Sequence, residues 1–167
     1  MGENIKNATI SIEDEHFYTH QGIRPTSIAR AILVNIFKGS LSQGGSTITQ
    51  QIIKNTLLNR DKTFTRKIKE WVLAIKLERQ FTKDQILAIY LNDNPYGGTI
   101  YGAEEASLSF FGKHAKDLTL VESAYLAALP QSPTYLSPFG RHRVGLEKRK
   151  NLVLERMYEL GYITEEE

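Results

Sequence analysis

Three threonines in this chain each stand three residues before a glutamine or a glutamate, and an apolar stretch follows each pair. This spacing is typical of a capping box, in which the two side chains satisfy backbone N–H groups at the start of a helix. Strand-like alternation is scarce, with one short candidate at residues 8–12. The chain is therefore predicted to be mainly α. The three pairs are Thr47 with Gln50, Thr82 with Gln85, and Thr119 with Glu122.

Apolar residues at helical spacing predict where the other helices lie. Pro25 suits the first position of a helix, and Gly39 suits its end. The helix predicted over residues 65–79 is apolar on most sides, so we expect it to be central and buried. Turn-forming residues at 92–98 predict a loop. Further helices are predicted at the capping boxes and over residues 103–111 and 145–160.

Length and composition exclude several classes of function. The chain has 167 residues, which predicts one domain with a hydrophobic core, and it has no cysteine, which excludes disulfides and thiolate chemistry. Its formal net charge of +2 is too small to indicate a nucleic-acid partner. No apolar run approaches the ~20 residues of a membrane span. Both ends look cut, so residues 1–167 are expected to be a single domain excised from a longer protein.

Two adjacent carboxylates, Glu13 and Asp14, follow an apolar stretch and precede Phe17. Glu13 is a candidate general acid or base, and the alternative is a helix cap or a partner of an arginine. His16 and His20 are four residues apart, as on one helical face. Because Phe17 stands where a zinc protease needs glutamate, we interpret both histidines as hydrogen-bonded structural residues.

A glycine pair, Gly44 and Gly45, leads through Ser46 and Thr47 into a helix whose N-terminal N–H groups could bind an anion. The segment lacks the lysine of a P-loop, which argues against nucleotide hydrolysis. An ordinary glycine hinge is the alternative. Polar side chains further along this helix suit sugar hydroxyls and phosphate, but they also suit a solvated face. They are Gln50, Gln51 and Lys54.

Arg66, Lys67 and Glu70 share one side of the helix predicted over residues 65–79. One interpretation is a set of surface ion pairs, each contributing less than ~1 kcal/mol. Because the rest of this helix is apolar, we favour the second interpretation, in which the three charges line the wall of a cleft.

Together these segments closely resemble the peptidoglycan glycosyltransferase family (glycosyltransferase family fifty-one), which is found in bifunctional penicillin-binding proteins and monofunctional transglycosylases. Five motifs match in order over nearly the whole chain, and the set is far more specific than any one motif. In the last motif Lys150 follows Arg149 where the family often has a second arginine. No transpeptidase signature accompanies them. The matching residues are Glu13, Asp14, Phe17, His20 and Gly22; Gly44, Ser46, Thr47, Gln50 and Gln51; Arg66, Lys67 and Glu70; Lys83, Leu87, Tyr90 and Asn92; and Arg149, Val153 and Leu154.

The resemblance implies a lysozyme-like helical head with a smaller, membrane-proximal jaw lobe. Residues 28–41 would contribute to that lobe, with plain core packing as the alternative. The implied activity is polymerisation of lipid II by inverting transfer from a polyprenyl-pyrophosphate-linked glycan to the 4-hydroxyl of acceptor lipid II. The implied partners are those two substrates and the bacterial membrane surface, without nucleic acid. The implied location is the extracytoplasmic face of the cytoplasmic membrane, through a membrane-anchored parent protein.

The resemblance also assigns roles to individual residues. Glu13 is expected to be the general base, because a sugar hydroxyl must lose its proton whereas pyrophosphate already leaves readily. Glu70 is expected to be a second catalytic carboxylate that positions cations or a metal. The implied cofactor is a divalent metal, Mg²⁺ or Mn²⁺, with Asp14 as its candidate ligand. The expected substrate-binding residues are Asp14, Ser46, Thr47, Gln50, Gln51, Lys54, Arg66, Lys67 and Arg149.

Two other functions stay open at this point. A lysozyme-like hydrolase would also place a glutamate among helices, but it needs a protonated acid and has no use for a cluster of cations. A non-catalytic helical module that binds anionic lipid or nucleic acid would show salt-dependent binding, and replacing Glu13 would not affect it.

Overall fold

The computed structural model describes residues 1–25, 45–56 and 63–167, without the side chain of residue 64. The described part is mainly α, as predicted. The helix predicted from Pro25 and the jaw-lobe residues 28–41 lie outside it. The helices are α1 (Glu3–Glu13), α2 (Ile48–Thr56), α3 (Phe64–Gln80), α4 (Lys83–Asp93), α5 (Ala103–Phe111), α6 (Leu120–Ala128) and α7 (Arg143–Glu159), with strands β1 (Pro95–Gly97) and β2 (Ile100–Tyr101) and 3-10 turns at Ala115–Asp117 and Leu129–Gln131.

All three predicted capping boxes form, and they set where α2, α4 and α6 begin. In each box the threonine hydroxyl accepts a backbone N–H three residues on, and the side chain there accepts the threonine N–H. At Thr47 and Gln50 the two donor–acceptor distances are 3.1 and 3.2 Å. These bonds satisfy N–H groups that a helix leaves without an internal partner.

The chain divides into two compact units, with one boundary shortly after α1 and the other within α4. The first unit contains Met1–Glu15 and Leu91–Glu167, and the second contains His16–Tyr90.

Helix α1 lies in the core of the first unit, where it packs against both α6 and α7. Ile5, Ala8 and Ile10 are at most 1% exposed. The strand considered for residues 8–12 was therefore a wrong prediction, because these residues are helical. Their β-branched side chains disfavour a helix by only tenths of a kcal/mol each, and burial against two neighbouring helices outweighs that preference.

Small residues on α6 allow its neighbours to approach closely. Ser123, Ala124 and Ala127 are at most 1% exposed. A helix surface without long side chains lets the axes of packed helices come nearer together.

Strands β1 and β2 form an antiparallel hairpin in which Pro95 pairs with Tyr101, so the loop predicted for residues 92–98 is partly strand.

In the second unit α2 packs against α3, and Ile48, Ile52 and Ile53 of α2 are buried. The prediction that α3 is central and buried is wrong, because Ile68 and Val72 are 44% and 47% exposed. Apolar residues cover much of any protein surface, so an apolar helix is not by itself a buried one. No helix of the described ranges is long and apolar enough to cross a membrane.

Replacing Gly102 with alanine is expected to lower the free energy of unfolding by about 3 kcal/mol in chemical denaturation. Gly102 has a φ of +85°, and an added Cβ would lie 2.7 Å from the carbonyl oxygen of Asn92. The matched control is Gly112→Ala at the other end of α5, where φ is +68° and nothing lies within 4 Å of the added atom. There the loss should be only about 1 kcal/mol. Equal losses would contradict the steric argument.

Candidate active site

Glu13, the last residue of α1, lies beside Arg149 of α7. The Oε1 atom of Glu13 is 3.5 Å from Nη2 of Arg149, and the two side chains are 11% and 17% exposed. The pair results from the packing of α1 against α7. A guanidinium at this distance favours the ionised form of a carboxylate, which is the form that accepts a proton.

Tyr96 of β1 is a neighbour of Glu13 that the sequence reasoning missed. Its ring is 1% exposed. Burial, and after it the negative charge of Glu13, raises the pKa of the Tyr96 hydroxyl far above its usual value. The hydroxyl therefore stays neutral beside the carboxylate. In the sequence, Tyr96 is only an aromatic residue within a stretch of turn-forming residues, and such a stretch predicts a loop.

Asp14 caps the C-terminal end of α1. Its backbone N–H donates to the carbonyl oxygen of Ile10 at 2.9 Å, and the residue is 2% exposed. The buried carboxylate thus follows Glu13 directly at the end of a helix that the core holds in place.

Lys67 connects α3 to the segment that precedes α2. Its Nζ donates to Oγ of Ser46 at 2.9 Å and, in a shorter contact, to Oε1 of Glu70. The side chains of Lys67 and Glu70 are 16% and 1% exposed, so this pair is not the exposed surface set considered as one interpretation. The second carboxylate oxygen of Glu70 is buried and accepts no hydrogen bond from the described residues.

Thr47 and Gln50 are used by the fold itself. Besides capping α2, the Thr47 hydroxyl donates to the carbonyl oxygen of Gly22 at 2.6 Å. Both residues are at most 1% exposed. Gln51 accepts a hydrogen bond from the hydroxyl of Tyr90 at 3.3 Å, and Lys54 is exposed in the last turn of α2.

His20 has the structural role expected of it. Its Nδ1 accepts the N–H of Gly22 at 3.1 Å and lies 3.7 Å from Oε1 of Glu78. Residues 16–22 form turns, so the expectation that His16 and His20 share a helical face is wrong. Phe17, within these turns, has a fully buried ring, and Nζ of Lys83 lies 4.7 Å from the centre of that ring.

The structure therefore brings the predicted residues together in two groups. Glu13 and Arg149 meet in the first unit, and Ser46, Lys67 and Glu70 meet in the second. Arg66 is partly exposed in the first turn of α3, where its backbone N–H donates to Oγ1 of Thr63. Contact between any of these residues and a substrate stays a prediction.

Replacing Lys67 with methionine is expected to lower the free energy of unfolding by about 3 kcal/mol, because it leaves the buried Glu70 carboxylate without its counter-ion. The control is Lys69→Met on the same helix, which removes an exposed ammonium group and should change stability by no more than about 0.5 kcal/mol. Urea denaturation of both variants measures the difference. Equal stabilities would mean that the ion pair contributes nothing to the fold.

Comparison with known proteins identifies the family. The transglycosylase family model matches residues 1–158. Penicillin-binding protein 1A of Aquifex aeolicus is 50% identical over 165 residues, which are 99% of this chain and 23% of that protein. Penicillin-binding protein 1F of Bacillus subtilis is 44% identical over 165 residues, with the same two shares. Penicillin-binding protein 1A of Clostridium tetani is 46% identical over an alignment of 172 positions, which covers 99% of this chain and 22% of that protein.

The chain thus spans less than a quarter of the length of these relatives. The matched part nevertheless includes both charged groups described above, because it extends from the start of α1 into the last turn of α7. This chain therefore belongs to the transglycosylase family, which confirms its predicted membership among the peptidoglycan glycosyltransferases.

Proposed function

We propose that this domain polymerises lipid II into glycan strands by inverting glycosyl transfer. The donor is a glycan chain linked to polyprenyl pyrophosphate, and the acceptor is the 4-hydroxyl of lipid II. The observation that carries this proposal is the ion pair between Glu13 and Arg149 at the end of a buried helix. It places a cation beside a largely buried carboxylate, and such a carboxylate can act as the base that activates a sugar hydroxyl.

The chemistry of the transfer needs a base more than an acid. Pyrophosphate leaves readily once cations neutralise its charge, whereas a sugar hydroxyl is a poor nucleophile until it loses its proton. Glu13 accepts the proton of the acceptor hydroxyl while the oxygen attacks the anomeric carbon of the donor. The bond from that carbon to the pyrophosphate oxygen breaks, the pyrophosphate takes the electron pair, and the configuration inverts.

The position of Arg149 favours this reaction over hydrolysis by a lysozyme-like enzyme. A glycosidase of that kind needs a carboxylic acid that keeps its proton near neutral pH, which a largely apolar pocket provides. A guanidinium 3.5 Å from Glu13 has the opposite effect, since it stabilises the charged form. Tyr96 adds a neutral hydroxyl beside the carboxylate and brings no competing charge.

We propose that the charged group on α3 binds the pyrophosphate of the donor. Lys67 is held between Ser46 and Glu70, so its ammonium group has a defined position, and Arg66 and Lys54 add two further cations. Fixed positive charge that meets developing negative charge is usually the largest contribution to catalysis of this kind. Glu70 acts through Lys67, and Gln51 adds an amide for a sugar or phosphate oxygen. Asp14, Thr47 and Gln50 hold the backbone that carries the reacting groups.

A divalent metal, Mg²⁺ or Mn²⁺, fits these residues only as an ion shared with the substrate. Among the described residues no three histidine or acidic side chains are grouped so that they could hold a metal ion. Mg²⁺ commonly binds through one or two carboxylates together with substrate phosphates, and Asp14 is the carboxylate proposed here. When bound, the ion would neutralise charge on the pyrophosphate.

The proposed partners follow from the donor and the acceptor. Both carry a polyprenyl chain, so the domain would work at the surface of a bacterial membrane. Since the chain spans less than a quarter of its penicillin-binding relatives, we propose that a membrane-anchored parent protein holds it at the extracytoplasmic face of the cytoplasmic membrane. No nucleic acid takes part.

Replacing Glu13 with glutamine should reduce lipid II polymerisation in detergent about a thousandfold, because glutamine keeps the shape and removes the base. Glu3→Gln is the control, since Glu3 lies on the same helix in an exposed pair with Lys6. A parallel incubation with finished glycan tests for hydrolysis. Turnover of lipid II by Glu13→Gln near the unmodified rate, or consumption of finished glycan, would contradict the proposal.

Replacing Arg149 with glutamine should lower kcat for polymerisation at least about tenfold, because the base loses the cation that keeps it ionised and in place. Arg149→Lys should lose less, since lysine keeps the charge but not the planar fork. Lys6→Gln breaks the exposed pair on α1 and serves as the control. Steady-state kinetics in detergent measures all three, and an unchanged kcat for Arg149→Gln would remove Arg149 from the reaction.

A further inference from the structure

A cavity of about 360 Å³ lies in the first unit, where α5 and α6 end and α7 begins. None of its lining residues belongs to the groups assigned to glycosyl transfer. Three of them, Tyr125, Arg143 and Glu147, are polar or charged. The other lining residues are apolar: Phe110, Phe111, Leu126, Leu129, Pro138 and Leu146.

Glu147, the acidic residue that lines this cavity, already has two partners. The hydroxyl of Tyr125 donates a short hydrogen bond to Glu147, and Nζ of Lys150 lies 3.4 Å from the other carboxylate oxygen. The Tyr125 hydroxyl, and less strongly Lys150, holds the pKa of Glu147 below its usual value. Lys150 stands where the family often has a second arginine, and here it pairs with Glu147, which lines the cavity.

The basic residue that lines this cavity, Arg143, has no ion-pair partner among the described residues. Arg143 lines the cavity and is exposed, and no carboxylate of the described chain lies within ion-pair distance of it. Arg141 and Lys148 are also exposed and also lack an ion pair with described residues. The segment therefore presents a net positive charge next to an apolar cavity.

Large apolar side chains are exposed between these cations. Phe139 and Val144 are 79% and 70% exposed, the two highest values among the exposed large apolar residues of the described chain. The ring of Phe139 lies 5.9 Å from the ring of Phe110, which lines the cavity. Exposed apolar groups among unpaired cations are typical of segments that contact anionic membranes.

We propose that residues 139–148 and the adjoining cavity bind an anionic lipid of a membrane surface. The acyl chain occupies the apolar cavity, the anionic headgroup contacts Arg143, and Phe139 inserts among neighbouring lipids. An acidic peptide would satisfy the cations but would leave the apolar walls without a partner, and a neutral apolar ligand would leave Arg143 unpaired. This inference does not depend on the transfer reaction, because it uses none of the same residues.

The test measures binding of the chain to lipid vesicles. Binding is compared between vesicles of phosphatidylcholine and vesicles that also contain phosphatidylglycerol, and only the anionic vesicles should bind tightly. Arg143→Gln should weaken that binding about fivefold, since one basic residue near an anionic surface contributes ~1 kcal/mol. Phe139→Ser should weaken it about tenfold. The matched control is Lys116→Gln, which removes one exposed charge from the same unit outside the cavity lining.

Two further arms identify the site and the source of the ligand. A phosphatidylglycerol with a photoreactive group on its acyl chain should label Tyr125 or Leu126 on α6, or Leu129 in the turn that follows. Soluble decanoate and an acidic peptide are tested by calorimetry. Equal vesicle binding by all variants, labelling elsewhere in the chain, or binding of decanoate or peptide without vesicle binding would overturn the proposal. Arg143→Gln should still polymerise lipid II in detergent, so failure of this inference and failure of the proposed reaction are distinguishable.

Discussion

The first unit depends on an ion pair that accompanies the carboxylate at the end of its buried helix α1. Helix α1 packs against α6 and α7 along much of its length, and it ends at Glu13, whose side chain is only 11% exposed. A carboxylate removed from water in this way is costly unless a cation accompanies it. Arg149 meets that requirement from α7. The same contact therefore makes the packing of α1 tolerable and sets the surroundings of the carboxylate proposed as the base.

The second unit also contains a buried carboxylate with a cationic partner, but here the cation has a second hydrogen-bond partner. Glu70 is more deeply buried than Glu13, and its partner Lys67 is divided between the carboxylate and the hydroxyl of Ser46. The ammonium group is thus fixed from two sides and stays partly open to solvent, which suits contact with an anion. Glu13 is paired with a cation from another helix, whereas Glu70 is paired with a cation of its own helix.

Local sequence patterns predicted this fold well where a helix begins at a capping box. The capping boxes at Thr47, Thr82 and Thr119 depend on neighbouring residues only, and all three formed. Failures occurred where the tertiary environment decides. The helix at residues 8–12 is stabilised by burial that no local pattern reveals, and the exposure of Ile68 on α3 depends on which neighbours pack against that helix.

The site could be predicted as a set of residue types but not as a set of contacts. The motifs predicted that Glu13 and Arg149 both matter, yet 136 positions separate them and only the packing of α1 on α7 shows that they meet. Tyr96 escaped notice for the same reason. Its closeness to Glu13 comes from a hairpin that the turn-forming residues around it concealed.

The hydroxyl of Thr47 connects the turn after Phe17 to the start of helix α2. It accepts the N–H of Gln50 at the start of α2 and donates to the carbonyl oxygen of Gly22 in the turn that follows Phe17. Thr47 immediately precedes α2, and Ser46 immediately precedes Thr47. Since Ser46 accepts a hydrogen bond from the ammonium group of Lys67, two neighbouring side chains connect this cation to a turn that is distant from it in the sequence.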